Sequence, residues 1–322
     1  MQTIIGTDIS YAKKLLEQGD LVAIPTETVY GLAANALNGA AIARIYEVKN
    51  RPRFNPLIMH VPGIEHIGRY AAISKLELKI AGALMPGPLT LLLPKTESVP
   101  DILTAGSDKV AVRVPAHPLT QQLLQQLSFP VAAPSANPSG YVSPVTANHV
   151  LENLDGKIPY ILDGGPSEVG VESTIIECTS TSVIVHRFGG ITLEQIRAAA
   201  GMPVILQTNS QKIVTSGKLK SHYAPNIPLY MGNVAELASV YEGKRIAVIT
   251  LSPSELEGVT SFPLSASGSL AEAAANLFST LRRIDQEDFD VILAEKMPEQ
   301  GLGRAINDRL HRAQAEFKDG AG

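Results

Sequence analysis

Residues 49–61, KNRPRFNPLIMHV, bring Lys49, Arg51 and Arg53 together with Asn55 and His60 and contain no carboxylate. With 27 Lys and Arg in 322 residues, a stretch of this length would hold about one cation at the chain's average. Such a cluster suits an anionic ligand; the plainer reading is a solvated helix end or loop. Three further segments carry residues of the right kind. Residues 133–144, APSANPSGYVSP, offer Ser135, Asn137, Ser139 and Ser143 in a turn-rich run, where hydroxyls, an amide and backbone N–H groups can converge on phosphate or ribose oxygens or simply satisfy one another. Residues 24–35, IPTETVYGLAAN, put Thr26, Glu27, Thr28 and Tyr30 just past a buried strand and by themselves read as a loop. Residues 163–176, DGGPSEVGVESTII, set glycines before Glu172 and Ser173, the mark of a turn or of close backbone approach. Finally, Arg113 in AVRVP and Arg187 in VHRFGG are single cations inside apolar strands, a costly placement unless each is paired or faces an anionic cavity.

The usual chemical templates fail. The seven histidines are scattered without H-E-x-x-H spacing or a cysteine partner, so no metal site is assigned to protein side chains. Neither a G-x-S-x-G elbow nor a G-x-x-x-x-G-K-[ST] phosphate loop is present. GLGRAI, residues 301–306, lacks the third glycine of a dinucleotide fingerprint and opens the last helix instead of the first. The one cysteine, Cys178, excludes an internal disulfide framework and reads as a core or strand-end residue.

The elements that must position these residues are legible from pattern. LVAIP, PLIMHV, PLTLLLP, KVAVRVP, PVAAP, YILDG, STIIEC and SVIVHRF read as strands. SKLELKIAGAL and TLEQIRAAAG read as helices opened by capping boxes at Ser74/Glu77 and Thr192/Gln195, the second stopped by Gly201. Strands that follow one another without a helix between them, near residues 89–114 and 174–188, predict a mixed α+β sheet instead of a purely parallel one. From residue 203 the chain turns polar and Gly/Pro-bearing. RIAVIT, LAEAAANLFSTLRRIDQ, DVILAE and LGRAINDRLHRAQAEF then predict a small Rossmann-like α/β domain. The expected division is 1–202 for the main domain, 203–226 for a connector and 227–322 for the second domain. An apolar content of 45% is enough to give each a core. A net charge of −4 leaves no chain-wide attraction to nucleic acid or membrane, so an anion site must be local. No apolar run is long enough to span a bilayer and the N-terminus has no signal core, so no membrane association and a cytoplasmic location are expected.

In order along the chain, PTETVYGL, KNRPRFNPL, PGPLTLLL, VRVP, APSANPSG, GGPSEVGVESTI and RFGG resemble the YrdC-like threonylcarbamoyl-AMP synthases over most of residues 10–200. The family's K-x-R and distant S-x-N stand here as Lys49, Arg51, Ser135 and Asn137. GKLKSHYAP and the tail ending GLGRAINDRL resemble the longer, two-domain form. The resemblance implies a nucleotidyltransferase: threonine and bicarbonate or CO2 form a carbamate that attacks the α-phosphorus of ATP, releasing pyrophosphate. The product, threonylcarbamoyl-AMP, passes to a tRNA-modifying transferase complex that forms threonylcarbamoyladenosine beside the anticodon. It further implies Lys49, Arg51, Ser135 and Asn137 as the catalytic set, with Thr28, His60, Arg113 and Ser173 around threonine. Arg51, Asn55, Ser135, Asn137, Ser143 and Arg187 would hold ATP, with Mg2+ as the nucleotide's companion. Arg113 is expected to take a carboxylate or carbamate in bidentate fashion, and His222, Tyr223, Ala224 and Pro225 to form a lid over the pocket.

Two other readings compete. A basic concave patch could hold structured RNA without chemistry, with weak tRNA contact as its minimal form; 5% aromatics, no Trp and isolated cations in apolar strands speak against it as the main function. A carbamoyl-adenylate role like that of the related domain in hydrogenase maturation factors is the other, but the acylphosphatase-like and zinc-finger segments of those proteins have no counterpart in this sequence.

Overall fold

A computed structural model of the chain describes residues 2–207 and 223–314. The chain divides into two compact units: Met1–Ser139 with Ser143–Lys218, and Gly140–Val142 with Leu219–Gly322. In the first, the elements run β1 (Ile4–Gly6), α1 (Ile9–Glu17), β2 (Val22–Ile24), β3 (Gly31–Asn35), α2 (Gly39–Val48), β4 (Ile58–His60), α3 (Lys75–Leu84), β5 (Leu89–Pro94), α4 (Asp101–Thr104), β6 (Lys109–Arg113), α5 (Pro118–Gln126), β7 (Val131–Ala132), α6 (Ala147–Leu154), β8 (Tyr160–Leu162), β9 (Thr174–Cys178), β10 (Val183–Arg187), α7 (Leu193–Ala200) and β11 (Val204–Leu206). The second carries β12 (Leu229–Met231), α8 (Val234–Val240), β13 (Ile246–Thr250), β14 (Thr260–Pro263), α9 (Leu270–Asp285), β15 (Val291–Ala294) and α10 (Gly303–Ala313).

The first unit is built on a mixed eleven-stranded sheet, ordered β1-β8-β2-β3-β7-β4-β6-β5-β9-β10-β11. Its strands are short, and their apolar residues fill a large core of Leu32, Ile42, Met59, Leu91, Val112, Ile176 and their neighbours, and a smaller one between α1, α5 and the strands β2 and β8. Both expected capping boxes are present: Ser74 Oγ accepts from Glu77 N while Glu77 Oε2 accepts from Ser74 N, and Thr192 and Gln195 exchange the same pair of bonds. Each satisfies two otherwise orphaned N–H groups, worth about 1 kcal/mol for the cap itself. Gly201 ends α7 in the left-handed region at φ +67°, which glycine adopts without the Cβ clash an alanine would meet.

Two segments differ from the sequence reading. Residues 31–35 form β3 instead of continuing a loop, because GLAAN pairs antiparallel with β2 on one side and β7 on the other; three small residues in five gave no strand signal in isolation. The start of the connector is also a strand, since Val204–Leu206 adds in parallel to the free edge of β10.

The second unit is a four-stranded parallel sheet, β12-β15-β13-β14, with α8, α9 and α10. The Rossmann-like expectation holds for its central parts, while β12, α8 and β14 escaped the sequence reading: each is at most seven residues long.

Candidate active site

The cation cluster is the end of a helix. α2 closes with a Schellman arrangement: Arg51 N donates to Tyr46 O at 2.8 Å, Asn50 N donates to Glu47 O at 3.0 Å, and Asn50 takes the left-handed conformation at φ +49°. Asparagine is the non-glycine residue best suited to that position, so K-N-R is at once a helix stop and a device that sends Lys49 and Arg51 out on either side of the reversal. Both side chains are buried, Lys49 at 1% exposure and Arg51 at 6%. Arg51 donates from Nε to Asn55 O at 3.1 Å and from Nη2 to Pro56 O at 2.9 Å, which fixes the following turn. Arg53 and Phe54 are exposed, so the third cation sits at the rim.

Lys49 Nζ donates to the backbone carbonyls of Ser135 and Asn137, and Lys49 O accepts from Ser139 N at 2.7 Å. The A-P-S-A-N-P-S loop is thereby tied to the end of α2, joining residues 86 and 88 positions apart. Burial pushes the Lys49 ammonium well below the usual lysine range, nearby Arg51 pushes it further, and the carboxylate of Glu172 partly offsets both. Glu172 in turn accepts from Ser143 Oγ at 2.6 Å. The Asn55 side chain is fully buried, and neither its oxygen nor its nitrogen has a hydrogen-bond partner in the protein. A buried amide in that state costs on the order of 1–3 kcal/mol per unmet group, which a polar ligand would recover.

A second group lies at one end of five adjacent strands, β4-β6-β5-β9-β10. His60 and Arg113 are paired across β4 and β6. Arg113 does not present an open fork: Nη2 pairs with Glu27 Oε1 at 2.6 Å and Nη1 donates to Thr28 Oγ1 at 2.9 Å, leaving Nε without a protein partner. A guanidinium this deep requires a counter-charge, and the loop after β2 supplies it. Ser173 Oγ lies 2.7 Å from Thr90 Oγ1. Arg187 holds Ser173 in a forked grip, donating from Nε and Nη2 to Ser173 O at 3.1 and 2.8 Å.

His60 is 2% exposed, and burial, followed by the neighbouring Arg113, lowers its pKa to about 3. The ring is neutral at physiological pH. With Nδ1–H donating to Ile58 O at 3.2 Å, Nε2 is left as an acceptor. Unfolded histidine titrates near 6.5, so between pH 6.5 and 3 the unfolded chain binds a proton that the folded one does not. This contribution is fully present above about pH 6.5 and is lost progressively as pH falls toward 3. Urea unfolding at pH 7 and pH 5 is expected to show the wild type losing about 2 kcal/mol more than His60→Asn; equal losses would mean that the ring is not held neutral.

The structure thus gathers Lys49, Arg51, Asn55, Ser135, Asn137 and Ser143 into one group and Thr28, His60, Arg113, Ser173 and Arg187 into another, joined in the chain by Glu172–Ser173. Glu27 and Glu172 were named from sequence only as members of their segments, with no role given, and Thr90 was not singled out; a lone buried cation in a strand was the signal that a carboxylate had to exist somewhere. Among the expected lid residues, His222 lies outside the described residues, Tyr223 is buried within the second unit, and Ala224 and Pro225 follow it. Burial raises the Cys178 thiol to about 12, with Glu77 and Glu177 adding to the shift, so it carries no thiolate at neutral pH. Among the described residues no cluster of three or more His, Cys, Asp or Glu side chains is arranged to hold a metal ion, and no helix is long and apolar enough to cross a membrane.

Comparison with known proteins agrees over both units. The family described as Telomere recombination, which groups Sua5, YciO and YrdC, matches residues 14–189, and the one described as Threonylcarbamoyl-AMP synthase, C-terminal domain, matches residues 191–315. The chain is 41% identical to the threonylcarbamoyl-AMP synthase of Pyrococcus abyssi, covering 95% of this chain and 93% of that one. It is 40% identical to that of Bacillus subtilis, over 95% and 92%. The crystal structure of P. abyssi Sua5 complexed with L-threonine superposes with a TM-score of 0.89 at 39% identity, over 97% of each chain.

Proposed function

The chain belongs to the family of threonylcarbamoyl-AMP synthases, and from that premise we propose how its own residues carry the reaction of L-threonine, bicarbonate or CO2 and ATP to threonylcarbamoyl-AMP and pyrophosphate. The observation that carries the reading is a set of four buried cations, Lys49, Arg51, Arg113 and Arg187, collected with the unpartnered Asn55 amide around two short loops in a chain of net charge −4. Burying cations is unfavourable unless nearby anionic chemistry offsets it; Glu27 pairs with Arg113, Glu172 partly offsets the burial of Lys49, and an anionic substrate would add to both.

Threonine is assigned to the second group. Its ammonium or hydroxyl finds an acceptor in neutral His60 Nε2 and in the Thr28 hydroxyl. Its carboxylate is met by the free Nε edge of Arg113, with Ser173 Oγ beside it. Glu27 keeps Arg113 oriented instead of competing for the whole fork. Once the amine has captured bicarbonate or CO2, the carbamate oxygen attacks the α-phosphorus and the bond to pyrophosphate breaks. Such a displacement asks the protein for in-line positioning and for neutralisation of charge on the phosphate, the carbamate and the leaving group. Lys49 and Arg51 are assigned to the phosphates, Asn55, Ser135, Asn137 and Ser143 to the phosphate and ribose oxygens, and Arg187 to the junction between the two substrates. An anion at Lys49 reverses the effect of burial and restores its charge, so this ammonium is most fully protonated when the nucleotide is bound. Mg2+, a hard ion that keeps waters and phosphate oxygens as ligands, would arrive on the nucleotide and add its charge at the α- and β-phosphates. The product supplies threonylcarbamoyladenosine modification of tRNA through a separate transferase.

Pyrophosphate release from ATP and Mg2+, measured with and without threonine and bicarbonate, tests the reading. Release that requires both small substrates supports it. ATP left intact in every mixture, with tight salt-sensitive tRNA binding in its place, would replace it by an RNA-binding role.

A further inference from the structure

Thr26 has no part in the reaction assigned above, yet its buried hydroxyl is the centre of the turn that follows β2. Thr26 Oγ1 lies 2.6 Å from Val29 O and 2.7 Å from Thr28 Oγ1, and it also accepts from Thr28 N and Val29 N, each at 3.2 Å. The turn is held from its other side as well. Thr26 O accepts from Ser167 Oγ at 2.9 Å, and Glu27 O accepts from Val169 N at 2.7 Å. All of these residues belong to the first unit.

The contacts fix which way each proton points. A carbonyl oxygen can only accept, so the single Thr26 proton goes to Val29 O; turned toward Thr28 instead, it would leave lone pairs facing one another across 2.6 Å. Thr28 must then donate to Thr26. A guanidinium has no lone pair, so Arg113 Nη1 donates to Thr28 Oγ1 at 2.9 Å. The protons therefore run in one direction, from Arg113 to Thr28 to Thr26 to Val29, and a chain that starts on a cation strengthens each bond after it. Thr28 has spent its one proton and keeps one lone pair with no partner among the described residues. Toward a ligand it can only accept. His60 Nε2 is an acceptor too, while Arg113 Nε is a donor without a protein partner. The group thus offers acceptors to an ammonium and a donor to a carboxylate, the two ends of an α-amino acid.

We propose that Thr26 is a positioning residue for the amino acid: by taking the Thr28 proton it makes Thr28 an obligate acceptor, and so makes this corner select the ammonium of L-threonine. The proposal rests on the assignment of threonine to this group. Selection follows because a buried acceptor that meets no donor is left unpaired, which weakens a ligand lacking the amine far more than a ligand bearing it is strengthened. ATP is assigned to other loops, so the effect is specific to one substrate.

The test uses the full-length protein with Thr26→Val, which keeps the shape of the side chain and removes only the hydroxyl, and with Thr26→Ser, which keeps the hydroxyl. Three dissociation constants are measured: for L-threonine, for its deaminated analogue in which hydrogen replaces the amine, and for a non-hydrolysable ATP analogue. In Thr26→Val the Kd of threonine is expected to rise about 5- to 10-fold, the range of one hydrogen bond. The Kd of the deaminated analogue does not rise, because Thr28 is now free to turn its proton toward the ligand, and the Kd of the ATP analogue stays near wild type. Thr26→Ser binds threonine as the wild type does. An unchanged threonine Kd in a folded Thr26→Val, or equal losses for all three ligands, overturns the proposal. Should Thr26→Val fold poorly, the same three constants are measured on Thr26→Cys, whose thiol is a weak donor, and a loss confined to threonine is again the expected result. A Thr28→Val protein that binds threonine as tightly as the wild type would refute the placing of threonine in this group, a result distinct from failure of Thr26 to orient its neighbour.

Discussion

Lys49→Met is expected to lower pyrophosphate release by about 10²- to 10³-fold while the protein stays folded. The magnitude is that of removing one preorganised donor from a site where charge develops in the transition state. The fold survives because two effects oppose. Losing the Nζ bonds leaves Ser135 O and Asn137 O without their partner, a cost of about 1–3 kcal/mol each, but an ammonium whose burial already pushes it toward the neutral form is replaced by an apolar chain of similar length. Turnover and urea unfolding measured on the same preparation separate the two. Lys49→Arg should not restore activity, because a planar guanidinium cannot reproduce a point donor reaching two carbonyls of one loop. Turnover within a few-fold of wild type in Lys49→Met would remove this residue from the catalytic set.

The second large effect is expected at Glu27. Arg113 and Glu27 form a pair with side chains 5% and 9% exposed, and Glu27 Oε2 also accepts from Ala116 N at 3.0 Å. Glu27→Ala strands the guanidinium in a low-dielectric site and should destabilise the protein by about 3–5 kcal/mol. The double variant Glu27→Leu, Arg113→Met removes both charges and should recover most of that loss, yet remain inactive if Arg113 meets the threonine carboxylate as proposed. Urea unfolding combined with thermal stabilisation by L-threonine reads both halves. If the double variant is as unstable as the single one, the pair is not what holds this corner together. If it still responds to threonine, Arg113 is not the residue that binds it.

The fold class was legible because strand and helix periodicities were strong where elements were long or bounded by prolines and caps, as at Ser74, Thr192 and α9. It was least legible at β3, β12 and β14, which are short and marked by few β-branched residues, so that their identity comes from the neighbours they pair with. The residues of the candidate site were legible by type. K-x-R, S-x-N, and single arginines inside AVRVP and VHRFGG are expensive in an apolar context, and that expense shows in the sequence itself. Their partners were not: nothing local says that Arg113 is met by Glu27, that Ser143 answers to Glu172, or that Lys49 reaches two carbonyls of a loop nearly ninety residues away. Those pairings depend on which strands lie side by side in a mixed sheet, and pairing across long sequence distances is set by the global packing of the core.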